Sequence, residues 1–247
     1  METLPRTRPQ RNRVRDRLAA VAPERLHVGL MLMLTFTTGV IDAVGYLGLD
    51  KVFTGNMTGN VVILGMALGG AQGLPIVGPA LALLGFMLGA ALGGRVLRHT
   101  VGAWAPQTAW LFAVVAGVTI ALGFVLLLAD EPPTDGLQIA VTTLLGAAMG
   151  IQAAAARVVA VKDVTTVVVT STITGLAADS RLGGRKGGLG GRRALAVVLI
   201  LVGAIAGAAL LQWSLGAALL VPGFLILAVT LLGAAHHRVS DRASSRA

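Results

Sequence analysis

Phe53-Thr54-Gly55-Asn56-Met57-Thr58-Gly59-Asn60 is the stretch on which the reading of this chain turns. A degraded copy follows as Val169-Thr170-Ser171-Thr172-Ile173-Thr174-Gly175. Both copies lie among apolar segments long enough to cross a bilayer. Small hydroxyl, amide and glycine residues are unusual at that depth, because lipid offers no hydrogen-bond partner to a broken backbone. Two copies, one per half, point to a duplicated membrane protein with a polar centre.

Composition supports the membrane class. Of the 247 residues, 55% are hydrophobic and 13% charged, and the mean hydropathy is +0.81. Soluble domains carry roughly 25% charged residues. Cysteine is absent, which excludes disulfides, thiolate metal sites and a cysteine nucleophile. Thirty-three glycines and only 4% aromatics suit helices in close backbone contact. The net charge of +9 does not indicate nucleic acid, since it sits in hydrophilic ends and loops. Arg6, Arg8, Arg11, Arg13, Arg15, Arg17 and Arg25 crowd the N-terminus, and such flanks set orientation and touch anionic lipid headgroups. No clear small-residue cleavage site follows them, so 1–26 reads as a disordered basic cytoplasmic tail rather than a signal peptide.

The apolar runs are 28–48, 58–72, 75–94, 107–129, 137–156, 165–178, 194–212 and 215–235. Six approach the roughly 20 residues that span a bilayer. The runs 58–72 and 165–178 are short and open on the polar motif. The alternatives are eight spans, or six spans with two short re-entrant half-helices. With the N-terminus cytoplasmic, eight spans put Arg95, Arg98, Arg157 and Lys162 outside. Six spans put all four inside and leave Lys51 as the one external basic residue, with the acidic turn Asp130–Asp135 also external. Cytoplasmic enrichment of Lys and Arg favours six spans. The expected organisation is one all-α membrane domain, 27–235, in halves 28–129 and 137–235, with 236–247 as a second cytoplasmic tail.

In that topology the halves are inverted. Gly39-Val40-Ile41-Asp42 is similar to Met149-Gly150-Ile151-Gln152, and Gly85 and Gly89 match Gly203 and Gly207. The offsets are 110 at Asp42/Gln152, 116 at Thr58/Thr174 and 118 at Gly85/Gly203, so insertions are expected, one near Lys162-Asp163. Gly85, Gly89, Gly203 and Gly207 have the spacing that lets helix backbones approach, between the halves or in a homodimer. Gly59 and Gly175 permit close packing within the motifs.

Asp42 is the sharpest single residue. A buried carboxylate marks an ion or proton route, or it caps a half-helix by accepting N–H bonds near Thr58 to Asn60. Gln152 holds the matching place without charge, and helix–helix hydrogen bonding is its ordinary role. Helix starts at the two motifs would bring paired positive ends to the midplane, as in transporter binding sites and selective pores. The bland reading is that Thr and Asn satisfy a broken backbone while Gly packs. Asp50 and Lys51 sit at the outer mouth, where a mutual surface pair or headgroup contact is expected rather than substrate binding. His27, His99, His236 and His237 fall at membrane edges, and adjacent His236-His237 lacks the spacing of a metal site. The basic loop 181–193 lacks both a preceding strand and a Gly-Lys-Ser/Thr ending, so it reads as a solvated loop rather than a phosphate cradle. No Gly-x-Ser-x-Gly, His-Glu-x-x-His or paired-carboxylate set is present, so no enzyme, cofactor or metal is expected.

Gly39 to Ala43, Val52-Phe53, Met57 to Asn60, Gly150-Ile151-Gln152 and Thr170 to Gly175 together resemble the YoaK-type family of bacterial membrane proteins, a domain of unknown function. The resemblance spans most of 28–235. The family commonly carries Asn after the Gln, where this chain has Ala153. The resemblance implies a bacterial inner-membrane protein of about six spans, and no substrate. The expected function is transport or conduction of a small solute or ion, with both termini cytoplasmic. Its site would lie between the halves, lined by Asp42, Asn56, Thr58, Asn60, Gln152, Thr172 and Thr174. Asp42 attracts cations while helix starts attract anions, so the charge of the substrate stays open. A non-transporting scaffold or assembly factor is the alternative.

Overall fold

The computed structural model describes residues 22–100, 104–129, 132–159, 169–180 and 190–244. They form helices α1 (Pro23–Gly48), α2 (Met57–Leu68), α3 (Val77–Leu97), α4 (Pro106–Leu128), α5 (Asp135–Val159), α6 (Val169–Ala178), α7 (Gly190–Leu211) and α8 (Leu215–Ser244). No strand occurs among the described residues. Six of these helices are long and apolar enough to cross a membrane. The other two, α2 and α6, have 12 and 10 residues. At 1.5 Å per residue they reach about 18 and 15 Å, against a hydrocarbon core of ~30 Å.

Local chemistry accounts for the helix ends. Pro23 and Pro106 occupy first-turn positions, where a missing N–H costs nothing. After α1 the chain turns through Asp50 (φ 53°) and Lys51 (φ 58°), both left-handed. Lys51 Nζ donates to the Gly73 carbonyl at 2.8 Å, which ties this strained turn to the loop before α3. Hydroxyls inside the spans bond back along their own helices. Thr35 donates to Met31 O, Thr38 to Leu34 O, Thr119 to Val115 O and Thr230 to Ile226 O, all at 2.8–2.9 Å. Neither Pro nor Gly follows Gly233, and α8 continues to Ser244, so 236–244 is helical. Likewise Pro23–Leu26 already belongs to α1, while residues 1–21 of the expected tail lie outside the described residues. Asp130-Glu131, Lys162-Asp163 and most of the basic loop 181–193 also lie outside them.

Glycine sets the close packing. A Cβ on Gly39 would collide with the Ile200 carbonyl, and one on Gly203 with that of Phe36. A Cβ on Gly150 would collide with the Phe86 carbonyl, and one on Gly89 with that of Ala147. Thus α7 lies against α1, and α3 lies against α5, backbone to backbone. Both glycine faces, Gly85/Gly89 and Gly203/Gly207, lie between the halves within one chain. A third close pair joins α4 to α8, where a Cβ on Gly216 would meet Leu127 N at 2.5 Å and one on Gly223 would meet Ile120 Cγ1 at 2.7 Å.

These contacts fix relative directions. Along α1 and α7 the partners rise together (Phe36 with Gly203, Val40 with Gly207), so the helices are parallel. The same holds for α3 and α5 (Ala82 with Gly146, Phe86 with Gly150). In α4 and α8 the order reverses, from Leu127 with Gly216 to Trp104 with Gly233, so they are antiparallel. Helix α8 is also antiparallel to α1, since Leu215 meets Gly48 while His236 meets His27. Therefore α1 and α4 run the same way, and only one of the two helices between them crosses. Helix α3 has 21 residues and α2 has 12, so α3 crosses and α2 does not. The reversal between α4 and α8 likewise excludes a crossing by α6. Eight spans would make α4 and α8 parallel, and the packing rules that out.

Both described chain ends therefore share one face. There His27 stacks on Trp104 at 5.7 Å, with His236 edge-on to His27 at 6.3 Å. Among the described residues no group of three His, Cys, Asp or Glu is placed to hold a metal.

Leucine at Gly150 should abolish a monodisperse folded peak in detergent, because a carbonyl of α3 cannot yield as a side chain would. Alanine at Gly94, where a Cβ meets nothing within 4 Å, should leave the thermal midpoint unchanged or raise it, given about 0.5–1 kcal/mol from helix propensity. Fluorescence-detected size exclusion after heating checks both.

Candidate functional site

The chain leaves α1, turns, and comes back beside it before α2 begins. Gly45 allows that approach, since a Cβ there would lie 2.5 Å from the Val52 carbonyl oxygen. Residues 53–56 are then non-helical, and their backbone groups need partners. Asp42 supplies one set. Its Oδ1 accepts the N–H groups of Thr54 (2.9 Å), Gly55 (2.7 Å) and Asn56 (3.4 Å), with the Thr54 hydroxyl at 3.4 Å. Gly55 fits because a Cβ would meet Thr38 Cγ2 at 3.1 Å and Met149 Cε at 3.3 Å.

Asn60 supplies the other set. Its Oδ1 accepts from Phe53 N at 2.9 Å, and its Nδ2 donates to Phe53 O at 2.6 Å. One buried amide thus clamps both backbone groups of Phe53 (Asn60 is 1% exposed). Asn56 caps α2, accepting from Gly59 N at 3.4 Å. Gly59 leaves room for the Phe53 ring, which stacks on Tyr46 at 4.8 Å.

Beside this knot is a cavity of about 930 Å³, within the usual range for small-molecule sites. Asp42, Thr38 and Tyr46 face it from α1, Asn56 and Thr58 from the start of α2, and Val169 and Thr170 from the start of α6. Phe86 of α3 and Ile200, Leu201 and Ala204 of α7 complete its walls. Both short helices therefore begin at one cavity.

Of the residues singled out in the sequence, Asp42, Asn56 and Thr58 line this cavity. Asn60 does not, being turned onto Phe53. Gln152 is fully buried behind Thr38, donating through Nε2 to Thr38 Oγ1 at 3.2 Å, and its Oε1 has no partner among the described residues. Thr172 is buried on α6, and Thr174 is exposed with its hydroxyl donated to Thr170 O at 2.9 Å. Neither is on the cavity wall. Gly175 accommodates an arginine, since a Cβ there would lie 2.8 Å from Arg193 Nη1, whose ion-pair partner is Asp179 at 2.6 Å. Lys51 and Asp50 lie in the turn described above and do not line the cavity.

Sequence reasoning passed over Thr38, Tyr46 and Thr170. The first two were available, because Thr38-x₃-Asp42-x₃-Tyr46 is a stripe of i, i+4 neighbours on one helix face. Thr170 required knowing where α6 starts.

Replacing Asn60 with Leu should strand the N–H and C=O of Phe53, at roughly 1–3 kcal/mol for each buried group. The thermal midpoint should fall clearly, whereas Thr174→Val should move it little. A melt of both proteins in one detergent is the check; an unchanged Asn60→Leu midpoint would remove the clamp from the account.

A family model described as "Protein of unknown function (DUF1275)" matches residues 30–232. The UPF0700 transmembrane protein YoaK of Bacillus subtilis (strain 168) is 33% identical over 198 residues, covering 71% of this chain and 80% of that protein. No solved structure matches the chain. The match runs from α1 into α8 and takes in both motifs, so this multi-pass membrane protein belongs to the DUF1275, or YoaK-type, family.

Proposed function

We propose that the chain is a small-solute or ion transporter or channel of the bacterial cytoplasmic membrane, not an enzyme, with its site in the Asp42 cavity. One observation carries the reading. A cavity of about 930 Å³ holds an intramembrane carboxyl group and receives the first residues of two helices too short to cross. Broken helices meeting at a polar centre are how transporters build binding sites inside hydrocarbon. Among the described residues that line the wall there is no histidine, lysine or serine that would serve as base or nucleophile.

Contact equivalence supports an inverted repeat. Gly39 faces Ile200 O and Ala204 N, as Gly150 faces Phe86 O and Ala90 N. Gly207 faces Val40 and the Ala43 Cβ, as Gly93 faces Ile151 and the Ala154 Cβ. This register pairs Gly39 with Gly150 and Gly207 with Gly93. It is one residue from the sequence match on α1 and α5, and four residues from it on α3 and α7. Asp42 then corresponds to Ala153 rather than to Gln152, and the site has a single acid. In this arrangement α2 and α6 are re-entrant, dipping from opposite faces.

Orientation follows from charge. Arg25, Arg95, Arg98, Arg157, Arg192, Arg193 and Arg238 lie toward the face holding both described chain ends, whereas Lys51, Asp50 and Asp135 lie toward the other. The first face is cytoplasmic by the Lys/Arg bias, and its arginines contact anionic headgroups.

The absence of native cysteine makes single-cysteine labelling clean. A cysteine at His99 should react only from the cytoplasmic side and one at Ser214 only from outside; the reverse pattern would invert the assignment. In proteoliposomes screened for solute uptake or charge movement, wild type should carry flux that Asp42→Asn and Thr58→Val lose at normal expression. Undiminished flux in both variants would count against the site, and a scaffold role would then be the better account.

A further inference from the structure

We infer that the cavity takes an amphiphilic organic cation, an ammonium group on an apolar body, and that this ligand arrives from the bilayer rather than from water. The inference rests on the cavity being the functional site and adds its ligand class.

The sign of charge follows from how the knot is wired. A chain break ahead of a helix normally offers N–H groups to an anion. Here Thr54, Gly55 and Asn56 donate theirs to Asp42 Oδ1. The protein's own carboxyl group already fills the anion position. No lysine or arginine is among the described residues that line the wall, so an anionic ligand would find no compensating charge from them. The second oxygen, Asp42 Oδ2, accepts no hydrogen bond among the described residues. Asp42 shares the cavity wall with Thr58 and Thr170. That set suits an N–H donor carrying positive charge.

The remaining wall is apolar and defines the rest of the ligand. Phe86 and Ile200 stand there with the Tyr46–Phe53 pair. Hydrated inorganic ions gain nothing from such surface, whereas a hydrocarbon body does, and aromatic rings favour an adjacent ammonium.

The route follows from the rim. Leu47 and Leu201 border the cavity and are 62% and 59% exposed. Leu201 is mid-helix in α7, about 16 Å from either end of Gly190–Leu211. An exposed leucine at that level faces hydrocarbon, so the cavity opens sideways between helices. An ammonium of this kind belongs either to a free amine or to an aminolipid headgroup.

The test is isothermal titration of full-length protein in phosphatidylglycerol nanodiscs. Three probes share one cage: 1-adamantylammonium, 1-adamantanemethanol and 1-adamantanecarboxylate. Wild type should bind the ammonium at least tenfold tighter than either other probe. Asp42→Asn keeps an Oδ1 acceptor for the knot and replaces Oδ2 with an NH₂ donor. It should lose at least tenfold for the ammonium and nothing for the alcohol. Leu201→Trp, an exposed rim change that leaves the core untouched, should weaken the ammonium similarly by narrowing the side opening. Equal binding of alcohol or carboxylate to wild type overturns the ligand class, as does ammonium binding indifferent to both variants. Displacement of the probe by added phosphatidylethanolamine assigns the ammonium to a lipid headgroup, and retention assigns it to a free amine; either supports the class. Uptake of labelled 1-adamantylammonium into proteoliposomes is measured separately. Asp42-dependent binding without uptake sinks the transport reading and leaves the ligand class standing.

Discussion

Asp42 accepting three consecutive backbone N–H groups is the contact on which the centre of this protein depends. A chain that stops being helical inside hydrocarbon exposes polar groups that lipid cannot satisfy. Residues 53–56 are in that position. Asp42 takes the N–H groups of Thr54 to Asn56, and Asn60 takes both groups of Phe53. Two side chains thus hold the non-helical segment beside α1, and α2 starts from it. Without them α2 would have no fixed starting point, and the cavity beside it would have no defined shape.

The same wiring decides which polar groups the cavity is left to present. An acid near a helix start admits two readings: the start receives an anionic ligand, or the acid receives a cationic one. Asp42 Oδ1 itself takes the N–H groups of the break, which closes the first reading and leaves the second. What remains is one carboxyl oxygen, a few hydroxyls and a large apolar surface. The proposed ligand would be held by a single polar anchor and by burial, an economy common to small-molecule sites.

Around the centre, the bundle is organised by carbonyl-to-glycine contact rather than by bulky interdigitation. Hydrocarbon tails are as apolar as leucine, so lateral association gains little from burying leucine. Close backbone approach gains dispersion and excludes lipid. The pairs α1–α7 and α3–α5 each join one half to the other. Each half therefore completes its own core only with helices from its counterpart, and the short helices lean on the crossing pairs, α2 on α3 and α6 on α7. Gly175 shows a different use of the same residue, giving room to Arg193 as it reaches Asp179.

Much of the architecture was legible in the residues themselves. Apolar run lengths distinguish six helices that cross from two that do not, since span is length times rise. Glycines at four-residue spacing mark the faces that touch, and the first Thr/Gly/Asn motif marks where the chain breaks between α1 and α2. Tertiary structure decided what those marks mean. Asn60 has the composition of a binding residue, yet the return of the chain past Phe53 turns it into a backbone clamp. Gln152 aligns with Asp42 along the sequence, but it is buried behind Thr38 while Asp42 lines the cavity. Thr172 and Thr174 share the motif with Thr170, but only Thr170 reaches the cavity. Run length and local spacing are one-dimensional and can be read along the chain. Which side of a helix meets which neighbour depends on crossing register, and a shift of one residue turns a side chain by about 100°.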